Sequence, residues 1–157
     1  MNIDDPVVRR FIRRAMVARI ATLSSSGRPS VTPLYFNFVG DHIWLGTASW
    51  TLAARQVSAN PCVSLLFQHE HDHGDGRILR LAGRAIVQTD ETIMRRSYRY
   101  MALKYVLSPG GLLNQLTHRH LAAAVRQYRT QSSAKGLPCV LDVTPEQIEF
   151  LNERPAP

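Results

Sequence analysis

The chain has 157 residues, 45% of them hydrophobic and 20% charged, the balance of one soluble globular domain large enough to bury a core. No apolar run approaches the roughly 18 residues of a membrane span, so the expected place is the cytoplasm. The net charge of +7 admits anionic partners, but the basic residues are spread along the chain and no helix-turn-helix or zinc-finger spacing occurs; nucleic acid is not the expected partner.

Asp5-Pro6 opens a first helix over 5–17, with proline in the first turn. Val8, Phe11, Ile12, Ala15 and Met16 form its apolar stripe. Arg9, Arg10, Arg13 and Arg14 lie opposite, on a face expected to be solvated; Asp4-Asp5 before them argues for a helix rather than a signal peptide. Arg19 to Leu23 reads as a strand, broken by Ser26-Gly27-Arg28-Pro29. Val31 to Val39 is a second strand, rich in β-branched and aromatic residues, and Gly40-Asp41 turns the chain into Ile43-Trp44-Leu45. Pro33 lacks an N–H, which suits an edge or an irregular point of a sheet.

The third strand runs through Thr47-Ala48-Ser49 into a short helix, where Ser49 or Thr51 can cap the first turn. Leu52, Ala53, Gln56 and Val57 share one helical face, Asn60-Pro61 ends the helix, and Cys62 to Phe67 is an apolar strand of buried type. A strand feeding a helix N-terminus is a ready anion site, and Arg55, one turn in, can add charge; an ordinary connection with a surface arginine is the competing reading.

Gln68 to Gly76 reads as a hairpin loop. Its His69, His71 and His73 would share a face if extended, and Glu70, Asp72 and Asp75 stand among them, but the spacing matches no firm metal or haem signature. Arg77 to Gln88 alternates around Ile78, Leu79, Leu81 and Ile86, with Gly83 permitting a bulge or a close approach. Arg77 and Arg80 are either exposed strand charges or contacts across a dimer. Asp90 caps a helix whose stripe is Met94, Tyr98, Met101 and Tyr105. Ser108 to Gly111 breaks it, and Leu112 to Arg129 forms a further helix in which His118 and His120 point apart. Pro138 to Val143 is the last strand; Thr144-Pro145-Glu146 turns the chain before a short segment carrying Ile148, Phe150 and Leu151. Cys62 and Cys139 read as two buried thiols rather than a disulfide framework.

The pieces ATLSSSGRPSVTPLYF, DHIWLGTAS and ARQVSANPCVSLLF, followed by RLAGRAIVQTD, resemble in order and spacing the pyridoxamine 5′-phosphate oxidase-like split β-barrel flavoproteins, a group that includes F420-dependent reductases. The resemblance implies a β-barrel with added helices (α+β), an antiparallel, Greek-key-type FMN-binding split barrel. One domain would fill 1–157, with barrel strands in 18–89 and 138–144 and a helical insertion over 90–130. It implies a homodimer with a cofactor, FMN or alternatively F420, at the interface, acting by hydride transfer on a small-molecule substrate. By the same resemblance, Thr32, Pro33, Leu34 and Tyr35 wall the cofactor ring. The phosphate lies near Thr47, Ser49, Thr51, Ala53 and Arg55. Aligned on Asn60-Pro61, Ala53 stands where the family commonly has a lysine, and Thr51 or Leu52 where a further basic residue is common. No catalytic side chain is expected, since a flavin-type cofactor carries the hydride chemistry itself.

The chain has no Gly-x-Ser-x-Gly elbow, P-loop or Rossmann glycine set. Two other classes stay open: a split-barrel binding module without flavin, to which Leu52 and Ala53 point, and a haem-binding or haem-handling relative, to which the histidine run points.

Overall fold

The computed structural model describes residues 1–69, 76–107 and 136–151. Helix α1 spans Pro6–Arg14 and strand β1 Ala18–Leu23. Strands β2 (Pro29–Leu34), β3 (Phe36–Val39) and β4 (His42–Ala48) follow. Helix α2 is Leu52–Ala59, then come β5 (Cys62–Gln68) and β6 (Ile78–Gln88). Helix α3 is Glu91–Met101, continued by a π-helical turn, Ala102–Val106, and β7 runs Pro138–Phe150.

The strands form one sheet in the order β2-β1-β5-β6-β7-β4-β3, each neighbouring pair antiparallel. β2 and β3 lie at opposite edges, yet only Tyr35 separates them in the chain. Six inter-strand spacings of about 4.8 Å would hold the edges of a flat sheet roughly 29 Å apart. Two peptide links span at most about 7 Å. The sheet must therefore curl until its edges meet at Tyr35, whose carbonyl accepts from the Gly46 N–H at 3.1 Å and so extends the β3–β4 ladder to the crossing. This is the split β-barrel with added helices expected from the sequence.

The interior is filled by alternate residues of the strands, among them Ile20, Phe36, Leu45, Leu65, Phe67, Leu79, Leu81 and Leu141, all fully buried. Val8, Phe11 and Ile12 of α1 join this core. Asp5 caps α1 through the Val7 N–H at 2.8 Å. Arg9 is not merely solvated: it bridges Asp4 (3.0 Å) and Asp41 (3.1 Å) and donates to the Gly40 carbonyl.

Several expectations change. The apolar run Val31–Val39 is two strands, because the chain changes sheet edge at Tyr35. α1 ends at Arg14, not 17, and leaves Met16 exposed. β5 alternates between buried and outward residues instead of being buried throughout, and Cys62 at its start is exposed; Cys139 is the buried thiol, and both are free. Ile86 is exposed. The buried position of α3 is Ser97, with Tyr98 turned outward. β7 does not stop near Val143. Pro145 sits opposite Gly83 at a register shift between Ala82 and Gly83, so its missing N–H interrupts pairing only at a bulge and the strand runs on to Phe150. Arg80 pairs with Glu149 within the chain, and Arg77 lies over the Phe11 and Phe150 rings at 5.8 and 5.0 Å. The helix expected over Leu112–Arg129, with His118 and His120, lies outside the described residues.

A Cβ at Gly83 would meet the Thr144 carbonyl oxygen at 2.2 Å, whereas one at Gly46 would meet, among the described residues, only the Met101 Cε, at 3.2 Å. Backbone cannot yield as a side-chain end can. Gly83→Ala should lower the unfolding free energy in urea by about 1–3 kcal/mol, and Gly46→Ala by clearly less; equal losses would contradict the tight passage at the bulge.

Candidate functional site

β4 delivers the chain to α2 through Ser49-Trp50-Thr51. Of the two capping candidates Thr51 is the N-cap: its Oγ1 accepts from the Ala54 N–H at 3.4 Å and donates to the Ala48 carbonyl at 2.8 Å. With that proton committed, the 3.0 Å contact between Thr47 Oγ1 and Thr51 Oγ1 is donated by Thr47. The two hydroxyls thus lock the strand-to-helix corner. The Ser49 N–H donates to Leu137 at 2.9 Å, and the chain passes so closely at Gly136 that a Cβ there would lie 2.8 Å from the Ser49 Oγ.

No acidic residue lies in the first turn of α2, and Arg55 is exposed there. The first-turn N–H groups of a helix lack intrahelical acceptors and carry its positive dipole end. Ala53 does not face this corner. Its methyl is 1% exposed and packs in the core, while Leu52 is 49% exposed. A lysine at 53 would point inward, so position 53 contributes backbone only. Gln56 fixes the helix to the sheet: its Oε1 accepts from Thr22 Oγ1 at 2.6 Å and from Ser30 Oγ at 3.0 Å.

The expected ring wall divides by strand alternation. Thr32 and Leu34 are half-buried on the same face of β2 as Ser30, which reaches α2. Pro33 and Tyr35 are exposed on the other side, Tyr35 to 61%. The Gly46–Tyr35 bond places the end of this wall beside Thr47. The barrel seam therefore brings the wall and the α2 corner together; the Ala53 side chain is turned into the core, and Leu34 is partly buried against the same core.

Sequence reasoning missed a second layer at the seam. The Tyr105 hydroxyl accepts from the Phe36 N–H at 3.1 Å and lies within donating distance of the carbonyls of Met16 (2.8 Å) and Phe36 (2.9 Å). Its ring rests on Tyr35, centroids 4.8 Å apart. Lys104 Nζ donates to the Phe36 carbonyl at 3.4 Å and lies 3.5 Å from the Phe36 ring centroid. Asn37 Nδ2 donates to the Ser97 carbonyl at 3.1 Å, holding α3 against β3. Met94 and Tyr105 follow one helical period, which registers the helix but not the π-helical turn that aims Lys104.

His69 is the only member of the histidine run within the described residues. It stacks on Phe11 (4.0 Å between centroids), and its Nε2–H donates to the Phe11 carbonyl at 2.9 Å. Among the described residues no group of three His, Cys, Asp or Glu side chains could hold a metal. No helix among them is long and apolar enough to cross a membrane. A shallow basic depression along α1, lined by Asp4, Pro6, Arg9, Arg10, Arg13 and Arg14, shares no residue with the seam.

The sequence profile of the pyridoxamine 5′-phosphate oxidase family matches residues 5–152. The chain belongs to that family of flavin-binding split barrels. Among curated proteins no sequence match is found. Solved structures share the fold. A candidate pyridoxamine 5′-phosphate oxidase from Listeria innocua is 17% identical, with 94% of this chain and 97% of that one covered and a TM-score of 0.63. An F420 reductase is 18% identical over 90% and 94%, TM-score 0.61. HutZ, a heme storage protein from Vibrio cholerae, is 17% identical over 95% and 94%, TM-score 0.63.

Burial lowers the Lys104 pKa from 10.5 to about 7. The unfolded chain then binds more protons than the folded one between these values, so this group's contribution to stability grows as pH rises from 7 towards 10. Lys104→Met should lose that slope: wild type should gain stability relative to the variant over this range in urea titrations. A difference that stays constant with pH would contradict the burial of the amine.

Proposed function

We propose that the protein is a flavin- or deazaflavin-dependent oxidoreductase that uses FMN, or alternatively F420, at the barrel seam. The observation that carries this reading is the convergence of a basic, acid-free helix N-terminus with the β2 wall in a chain of the flavin-binding split-barrel family. Backbone N–H groups of the α2 first turn, the Ser49 hydroxyl and Arg55 would hold the phosphate. Thr32 and Leu34 would lie along the ring, with Pro33 and Tyr35 shaping its outer border. Thr47 and Thr51 act through the corner, keeping the N–H groups aimed. A bound flavin or deazaflavin supplies a ring that takes up and gives hydride. The chain's part is to hold the ring, keep water from one side and leave the other to a small substrate.

Two copies of the chain would pair, as the resemblance implies, and sedimentation should then give twice the 17.7 kDa chain mass. A haem-handling role is the second reading, favoured by the likeness to HutZ. The absence of a lysine from α2 favours the third, a binding module without flavin.

The test is titration with FMN, F420 and haem, each followed by its own absorption. Saturable binding of FMN or F420 is expected, and Arg55→Ala should weaken it about fivefold or more, the scale of one charge-assisted contact in a solvent-exposed setting. Tight binding of haem alone would favour the second reading, and binding of none of the three would favour the module. An unchanged dissociation constant in Arg55→Ala would move the phosphate elsewhere.

A further inference from the structure

Of the 19 lysine and arginine residues only Lys104 and Lys135 are lysines. Lys104 lies in the π-helical turn that follows α3. Such turns are rare, are frequent at functional sites, and re-aim the side chains they carry. This one lays Lys104 and Tyr105 on the Phe36 peptide at the seam.

The surroundings of the amine are poor for a cation. Among the described residues its one hydrogen-bond acceptor is the Phe36 carbonyl, at 3.4 Å. The rings of Phe36 and Tyr105 lie 3.5 and 5.2 Å from Nζ. No carboxylate among the described residues reaches it. Tyr105 brings no charge, since burial raises its phenol above the usual range. A ring face and one long bond do not replace the hydration of an ammonium, whereas a neutral amine needs little replacement. A desolvated lysine is the form in which this side chain acts as a nucleophile.

We propose that Lys104 is a reactive amine that condenses with small aldehydes at the barrel seam. The Nζ lone pair adds to the carbonyl carbon, and both amine hydrogens leave with the carbonyl oxygen as water. A C=N bond then joins Lys104 to the aldehyde carbon, and no oxidant or reductant is consumed. The proposal does not depend on which cofactor the seam holds.

The experiment treats the full chain with acetaldehyde and cyanoborohydride near neutral pH, which traps an imine as a secondary amine, and maps the label by peptide mass spectrometry. An ordinary lysine is only about 0.04% neutral at pH 7, while an amine with a pKa of about 7 is half neutral there. Lys104 should be labelled at least about tenfold faster than Lys135, because the larger neutral fraction outweighs the lower basicity. The preference should vanish in concentrated urea. Labelling of Lys104 no faster than Lys135 in the folded protein, or a preference that survives unfolding, would overturn the proposal.

Discussion

The structure depends on one constraint: Tyr35 alone joins the two edge strands of a seven-stranded sheet. A link that short forces the sheet to close on itself, and closure decides what else can happen. It turns alternate side chains of the strands into a common interior. It also leaves a seam at Tyr35, where the β3–β4 ladder runs one residue past Phe36 through the bond from Gly46 to Tyr35. Backbone groups near a seam are less fully engaged than those inside a sheet, and ligands find them there.

Beside the apolar faces of α1 and α2, buried polar contacts fix how the helices meet the sheet. Gln56 ties α2 to β1 and β2, and Asn37 ties β3 to α3. Each sits within a few residues of the seam or of the α2 corner. Such contacts are specific in direction, because a buried amide that loses its partner costs more than the bond gained. They fix the angle at which the α2 N-terminus faces the β2 wall. Arg55 then adds charge from the solvent side, where screening limits its strength but not its selectivity for anions.

Much of this was legible in the sequence, and the failures have physical causes. The alternating run from Arg77 located β6, turn residues bounded β1 and β4, and Asp5, the Ser49/Thr51 pair and Asp90 marked three helix starts, where Asp5, Thr51 and Asp90 make the local capping bonds. The helical period already put Ala53 on the inward face of α2; family spacing set it at the phosphate, and the period was the better guide to its side chain. The crossing at Tyr35 carries no glycine, asparagine or second proline to announce it, so β2 and β3 read as one strand. Pro145 looked like a stop because only the position of Gly83, far off in sequence, reveals the bulge that accommodates it. The roles of Lys104 and Tyr105 depend on contacts about 70 residues away, and no local pattern encodes those.

The closed seam, rather than the basic face of α1 or the surroundings of His69, is where the proposed cofactor would sit. Backbone amide shifts of isotope-labelled protein during FMN and F420 titrations test it most directly. One of the two should move Thr32, Leu34, Tyr35, Thr47, Ser49, Thr51 and Arg55 together while Arg10, Arg13 and His69 stay in place. Shifts centred on α1 or His69, or none at the seam with either compound at saturating concentration, would contradict it.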